Sequence, residues 1–324
     1  MTTPAPAPAP VPFPVDETRS RPGSRALVLG GGGSTGNAWL LGVVAGLLDG
    51  GLDVTGADLV VGTSAGATTA AQLGGAPAAG LYAAALAPPP ARGEGRPPGP
   101  GRGSDAGAPP ARTAAAGPGG VAEHLARRRA LIASAADPAD LRRRTGADAL
   151  ERAVAAGPDA AARWRATVAA RLPRPDWPAG RLLLTAVDAR TGEPVAFDRS
   201  SGVDLADAVA ASCAGGPAYP VGDRWFVDGA HRRGENADLA AGCGRVLVLA
   251  PLGGASLTPA GWRLDLAAQV ADLRAGGSEV DVVVPTDPGL FGERAMDPAL
   301  RPVAARAGHA QGRALAGSLG ASWG

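Results

Sequence analysis

Short, mainly apolar runs recur along this chain, separated by longer stretches of glycine, alanine and polar residues. Residues 25–29, 57–61, 181–187, 245–251 and 280–285 are such runs, and 224–227 is a shorter one. Their length and their Leu/Val content predict buried strands. Helices are expected between them. One runs from Ser34 or Thr35 to Asp49, where Gly50-Gly51 stops it. It is apolar nearly all round (Trp39, Leu40, Leu41, Val43, Val44, Leu47, Leu48), so it should pack on a sheet and be covered on its far side as well. Further helices are expected from the turn after 57–61 to about Leu73, within 121–172, and at about 203–213, 259–276 and 297–317. Strands alternating with helices imply an α/β fold, with a mainly parallel central sheet sandwiched between helices.

Composition refines this picture. Residues 1–23 form a Pro/Ala-rich tail expected to be disordered. Residues 24–324 are expected to form a single domain. A low-complexity insertion at about 87–120, almost wholly Pro, Gly, Ala, Arg and Ser, interrupts it. Hydrophobic residues are 45% and aromatics only 4%, so the core must be built from Ala, Leu and Val. The chain has no lysine, and its 31 basic residues are all arginine. A net charge of +1 provides no global field for nucleic acid. The arginine clusters 127–129 and 142–144 read as solvated helix faces. Cys213 and Cys243 are too few for a disulfide framework and read as buried free thiols. No apolar run reaches the ~18–20 residues that cross a bilayer. The expected location is cytoplasmic, with peripheral membrane contact as a further option.

Candidate chemistry begins at Gly62-Thr63-Ser64-Ala65-Gly66, a Gly-x-Ser-x-Gly motif directly after an apolar strand. A serine at a sharp strand-to-helix turn is lifted clear of the backbone, and the flanking glycines Gly62 and Gly66 admit close neighbours. The pattern alone is weak. With 13 serines and 49 glycines in 324 residues, roughly 0.3 chance matches are expected.

A second motif, Gly31-Gly32-Gly33-Ser34-Thr35-Gly36, lies between a strand and a helix. It fits the Gly-x-Gly-x-x-Gly fingerprint of dinucleotide sites. Such a site also needs an acid at the end of the next strand. Asp53 has about the right spacing, but Asp53 and Asp58 precede or begin the 57–61 strand. The loop has another use. Successive backbone N–H groups at a helix N-terminus cradle an anion. If the first two strands are neighbours, those groups meet the oxyanion that forms when Ser64 attacks an ester.

Serine needs a base. The three histidines are His124, His231 and His309. His124 and His309 read as surface or packing residues, although His309 follows in the Ser…Asp…His order of an α/β-hydrolase triad. His231 reads as an exposed loop residue. Asp228 is better placed. It ends a short apolar strand and is followed by Gly229-Ala230, at the kind of strand end where open α/β sheets put their sites.

The ordered set of Gly31–Gly36, Gly62–Gly66 and Asp228-Gly229-Ala230 resembles the patatin-like phospholipase family over about 25–320. Asn236-Ala237-Asp238-Leu239-Ala240 and Ala211-Ser212-Cys213-Ala214 resemble its bacterial members. The resemblance implies a patatin-like three-layer architecture and a Ser64–Asp228 dyad without histidine. It implies an oxyanion hole from Gly31, Gly32 and Gly33, with no cofactor and no metal. The implied activity is hydrolysis of a lipid acyl ester, a phospholipid or lysophospholipid. Two departures stand out. Thr35 occupies a position where many members carry arginine, and the 215–220 connection is short. The alternatives are an α/β-hydrolase-type triad and a catalytically weak or nucleotide-binding α/β protein.

Overall fold

The computed structural model describes residues 11–12, 23–87 and 118–323. Most of the tail at 1–23 and of the insertion at 87–120 therefore lies outside the described residues. The described chain folds into nine strands: β1 (Val11–Pro12), β2 (Arg25–Leu29), β3 (Leu59–Gly62), β4 (Leu182–Asp188), β5 (Pro194–Phe197), β6 (Tyr219–Val221), β7 (Arg224–Asp228), β8 (Arg245–Leu249) and β9 (Glu279–Val283). The helices are α1 (Gly33–Asp49), α2 (Ala65–Leu73), α3 (Ala78–Leu86), α4 (Pro118–Ser134), α5 (Pro138–Ala156), α6 (Ala160–Ala169), α7 (Leu205–Ser212), α8 (Leu266–Ala275) and α9 (Arg301–Trp323).

The result is a mixed α/β fold with a mostly parallel central sheet. Strands run in the order β1-β5-β4-β3-β2-β8-β9, and β4 through β9 in that order are all parallel. Alternation along each strand splits the core. Leu27, Leu29, Leu247 and Leu249 face one layer, built on α1, α2, α7 and α9. Ala26, Val28, Val246 and Val248 face the other, where α8 contributes Leu266, Val270 and Leu273. Strands buried on both faces carry mainly apolar runs, which is why the pattern reads so clearly.

One part of the sheet departs from the parallel expectation. β5 and β7 both pair antiparallel with β4, and β6 pairs antiparallel with β7. β5 occupies one edge of β4 along Leu184–Val187, so β7 must use the other edge, beyond the end of β3. Gly62 therefore sits opposite Leu184, and Asp228 opposite Ala186, two positions further along the same edge. The acid approaches from the opposite direction to the serine and stops just past it. The expected helix at 259–276 is also shorter. It begins at Leu266, where Asp265 caps it by accepting from Ala268 N at 2.9 Å.

α1 is covered on its far side by α9, along a seam of glycines. A Cβ at Gly308 would lie 3.1 Å from Trp39 C, and one at Gly312 2.9 Å from Leu47 N. Backbone thus lies on backbone along the whole contact. Among the described residues, no helix is long and apolar enough to cross a membrane.

Candidate active site

β2 and β3 are paired neighbours, with Leu29 opposite Gly62. Their two following loops, the glycine loop and the Ser64 turn, therefore emerge side by side. Ser64 has φ 54° and ψ −116°, a left-handed conformation that costs a non-glycine residue of order 1–3 kcal/mol. The surroundings enforce it. Ser64 N donates to Ser212 Oγ at 3.0 Å, and the Cys213 thiol donates to Ser64 O at 3.1 Å. Gly66 is obligatory, because a Cβ there would lie inside contact distance of the Leu29 carbonyl. Gly62 has Ala67 Cα 2.7 Å from its own Cβ position. Both cysteines are free. Burial pushes the Cys213 thiol up to about 12, so it stays protonated and acts as a hydrogen-bond donor. As a whole residue it is half-buried, with its thiol turned inward to Ser64 O, whereas Cys243 is buried.

Asp228 is brought to Ser64. Its carboxylate lies beside the Ser64 hydroxyl, which favours the charged form, and accepts a hydrogen bond from Ala230 N at 2.9 Å. It is 7% exposed. Burial pushes its pKa up to about 6, against the opposing pull of the Ser64 hydroxyl, the Ala230 hydrogen bond and the Arg128 charge. Gly229 is tight against β4, where a Cβ would lie 2.6 Å from Thr185 O.

A buried polar network ties these pieces together. Asn236, held at φ 53°, donates through Nδ2 to Thr63 Oγ1 at 3.1 Å, Thr185 Oγ1 at 3.3 Å and Gly229 O at 3.2 Å. Thr63 and Thr185 hydroxyls lie 2.9 Å apart. The residue before the serine, the strand between, and the residue after the aspartate are thus linked by one amide. Sequence reading passed over Thr63 and Thr185. A threonine inside an apolar strand, as Thr185 is in β4, was the available signal.

The glycine loop divides its donors. Gly31 lies closest to the serine, since a Cβ there would be 3.6 Å from Ser64 Cβ and 3.7 Å from Ala230 Cβ. Its N–H, however, is bonded to Gly234 O at 3.0 Å. Gly31 was expected as a donor to an oxyanion, and its N–H is committed to that hydrogen bond instead. Among the described residues, no acceptor takes the N–H of Gly32 or Gly33. Both lie at the N-terminus of α1, where the helix dipole favours negative charge. Gly36 packs on Pro251, with 3.2 Å from its Cβ position to Pro251 Cβ.

Thr35 has a packing task. It is fully buried, and its N–H and hydroxyl both reach Ala295 O, at 2.9 and 3.2 Å. The 288–297 segment is thereby strapped over the start of α1. Phe291 anchors it edge-on against Trp39 at 6.3 Å. Glu235 is another group sequence reading missed. It is 4% exposed, its side chain lies 3.1 Å from the Cβ position of Gly30, and burial lifts its pKa to about 7.

The rival acids and bases are occupied elsewhere. Asp53 accepts from Thr55 N and Oγ1, at 2.8 and 2.6 Å, in the turn before β3. It does not stand at a strand end, as a ribose-binding acid would. His309 Nε2 lies 2.8 Å from Asp49 Oδ2, and its ring stacks on Tyr82. Asp49 ends α1, roughly 24 Å along the helix from Gly33. His309→Ala should leave ester hydrolysis at the parent rate and lower the melting temperature by about 2 °C, the worth of one part-exposed hydrogen bond. The His124 side chain is outside the described residues. His231 is half-buried rather than exposed, with Nδ1 2.8 Å from an Arg128 nitrogen. The 127–129 arginine cluster is correspondingly split. Arg127 and Arg129 are exposed and Arg128 faces inward.

No protein-family model and no curated protein matches the chain. Among solved structures it is similar to VipD from Legionella pneumophila, at 13% identity and a TM-score of 0.38, over 98% of this chain and 72% of that one. A likeness that distant carries no weight for the chemistry, which rests on the residues themselves.

Proposed function

We propose that this protein is a serine acyl hydrolase that cleaves lipid acyl esters through Ser64 and Asp228. The observation that carries this reading is the contact between a strained, part-exposed serine and a buried carboxylate whose pKa is near 6. It agrees with the motif resemblance to patatin-like phospholipases. A lipid substrate is favoured by the apolar mouth of the site. Pro251 lies against Gly32, the Met296 sulfur lies 2.8 Å from the Cβ position of Gly33, and Leu252 is exposed beside them.

In this mechanism the Asp228 carboxylate takes the Ser64 proton as Oγ attacks the ester carbonyl. The oxyanion is held by the N–H groups of Gly32 and Gly33 at the head of α1. Asp228 then returns its proton to the leaving alcohol. Water attacks the acyl-enzyme with Asp228 again as base, which restores Ser64. A carboxylate with an ordinary pKa would be a feeble base, and desolvation corrects that.

The sign of the pH dependence follows. Only the ionised carboxylate accepts a proton, so kcat/KM for a p-nitrophenyl ester should be level above about pH 7. It should fall tenfold per unit well below the Asp228 pKa of about 6. A pH profile from 4.5 to 9 tests this. A limb that His309→Ala removes would instead support the histidine triad.

A further inference from the structure

Arg127, Arg128, Arg152 and His231 converge on one small, open-sided pocket of about 20 Å³, beside Gly215 and Gly216. Asp148 is the one acid that lines it. Three guanidinium groups therefore share a pocket lined by one carboxylate, with that of Asp228 at its edge. Asp148 is already committed to Arg127 at 3.1 Å and lies 3.7 Å from Arg152. Arg128 has no share in it. Its Nη1 contacts His231 Nδ1 at 2.8 Å, and an imidazole nitrogen that accepts from a guanidinium carries no balancing negative charge. The opposite charge that reaches Arg128 is that of Asp228 itself. Arg128 is part-buried and bonded to His231 through one Nη, which leaves most of its planar fork of donors for something else.

The pocket abuts the reacting residues. A Cβ at Gly215 would lie 3.7 Å from Asp228 Oδ2, and one at Gly216 would lie 3.3 Å from Arg152 Nη2. An anionic group seated there would be next to the ester that Ser64 attacks. On the reading of Ser64 and Asp228 given above, we propose that this pocket is an anion subsite for the phosphate group of an acyl phosphoester substrate. Arg128 is its principal contact and Arg152 its second. The arrangement supplies a cation from α4 and α5, whereas Thr35 leaves none at its own position in the glycine loop.

The test compares hexanoyl glycerol 3-phosphate with uncharged hexanoylglycerol at pH 8, where Asp228 is ionised. The ratio of their kcat/KM values should favour the phosphoester and should fall about 10–100-fold in Arg128→Gln, the worth of a charge-assisted hydrogen bond. Arg128→Lys, which keeps the charge but loses the fork, should fall between. A second arm adds inorganic phosphate as inhibitor of hexanoylglycerol hydrolysis. Competitive inhibition lost in Arg128→Gln, without any substrate preference, would show that the subsite takes free phosphate rather than a lipid headgroup. Equal effects of Arg128→Gln on both esters, together with no phosphate inhibition, would overturn the proposal. Binding is read separately in Ser64→Ala, whose melting temperature phosphate should raise unless Arg128 is also changed. If Ser64→Ala still hydrolyses esters, the hydrolase reading fails and that binding result stands on its own.

Discussion

Ser64→Ala should lower kcat for ester hydrolysis by roughly 10⁴–10⁶-fold, the scale seen when the nucleophile of a coupled catalytic unit is removed. A small residual rate is expected from the glycine-loop donors alone. The fold should survive, because the Ser64 main chain is held by Ser212 and Cys213, which the substitution leaves in place. Asp228→Asn should be comparably inactive, since an amide cannot take the serine proton. Its effect on stability has the opposite sign. In the folded protein Asp228 has its pKa raised from 3.8 to about 6. The native state therefore holds this proton more tightly than the unfolded chain does. The corresponding stability is fully present below pH 4 and is lost as pH rises through about 6. At pH 8 the buried carboxylate is a liability of about 3 kcal/mol at most. Asp228→Asn removes it while keeping an acceptor for Ala230 N, so thermal unfolding at pH 8 should show a gain of about 1–3 kcal/mol. A gain in stability with loss of activity is the trade expected of a catalytic group.

Gly46→Val should be the most damaging change away from the site. A Cβ at Gly46 would collide with the His309 carbonyl oxygen, and would lie 2.9 Å from the His309 carbonyl carbon and 3.0 Å from Arg313 N. All three are main-chain atoms of α9, so no side chain can swing away. The helices would have to part, which strips contact from Trp39, Val43 and Leu47 in the core. A loss of about 4 kcal/mol or more is expected. Because α1 carries the glycine loop at its head, activity at moderate temperature should fall with it. Gly317→Ala is the control. It lies on α9 with nothing within 4 Å of its Cβ position, and should raise stability by up to about 1 kcal/mol through helix propensity. Urea titration of both variants checks the pair.

The parallel strands were legible because burial on both faces of β2, β3 and β8 leaves their runs apolar after the first residue. The Ser64 turn and glycine loop were legible because each needs a particular residue type at a particular strand end. The antiparallel half was not. β5 is four residues long, and β6 contains Pro220. The Gly222-Asp223 turn between Val221 and Arg224 was a hairpin signal that could have revealed it. α3 was missed because it is short and rich in alanine, with only Ala78 and Ala85 buried. The α1–α9 seam escaped for a different reason. In a chain with 49 glycines, the few that touch another backbone are indistinguishable from the many that touch nothing. The role of Asn236 was visible only as a likeness, since hydrogen bonds converging on one amide from distant parts of the chain are a property of three dimensions.

The most direct measurement is labelling with a fluorophosphonate, which reports an activated serine without requiring knowledge of the substrate. The intact chain should carry one phosphonyl adduct, mapped by peptide mass to Ser64, with no labelling in Ser64→Ala and a rate at least about 10²-fold lower in Asp228→Asn. An adduct on another serine, or Ser64 labelling at the parent rate in Asp228→Asn, would contradict the Ser64–Asp228 dyad.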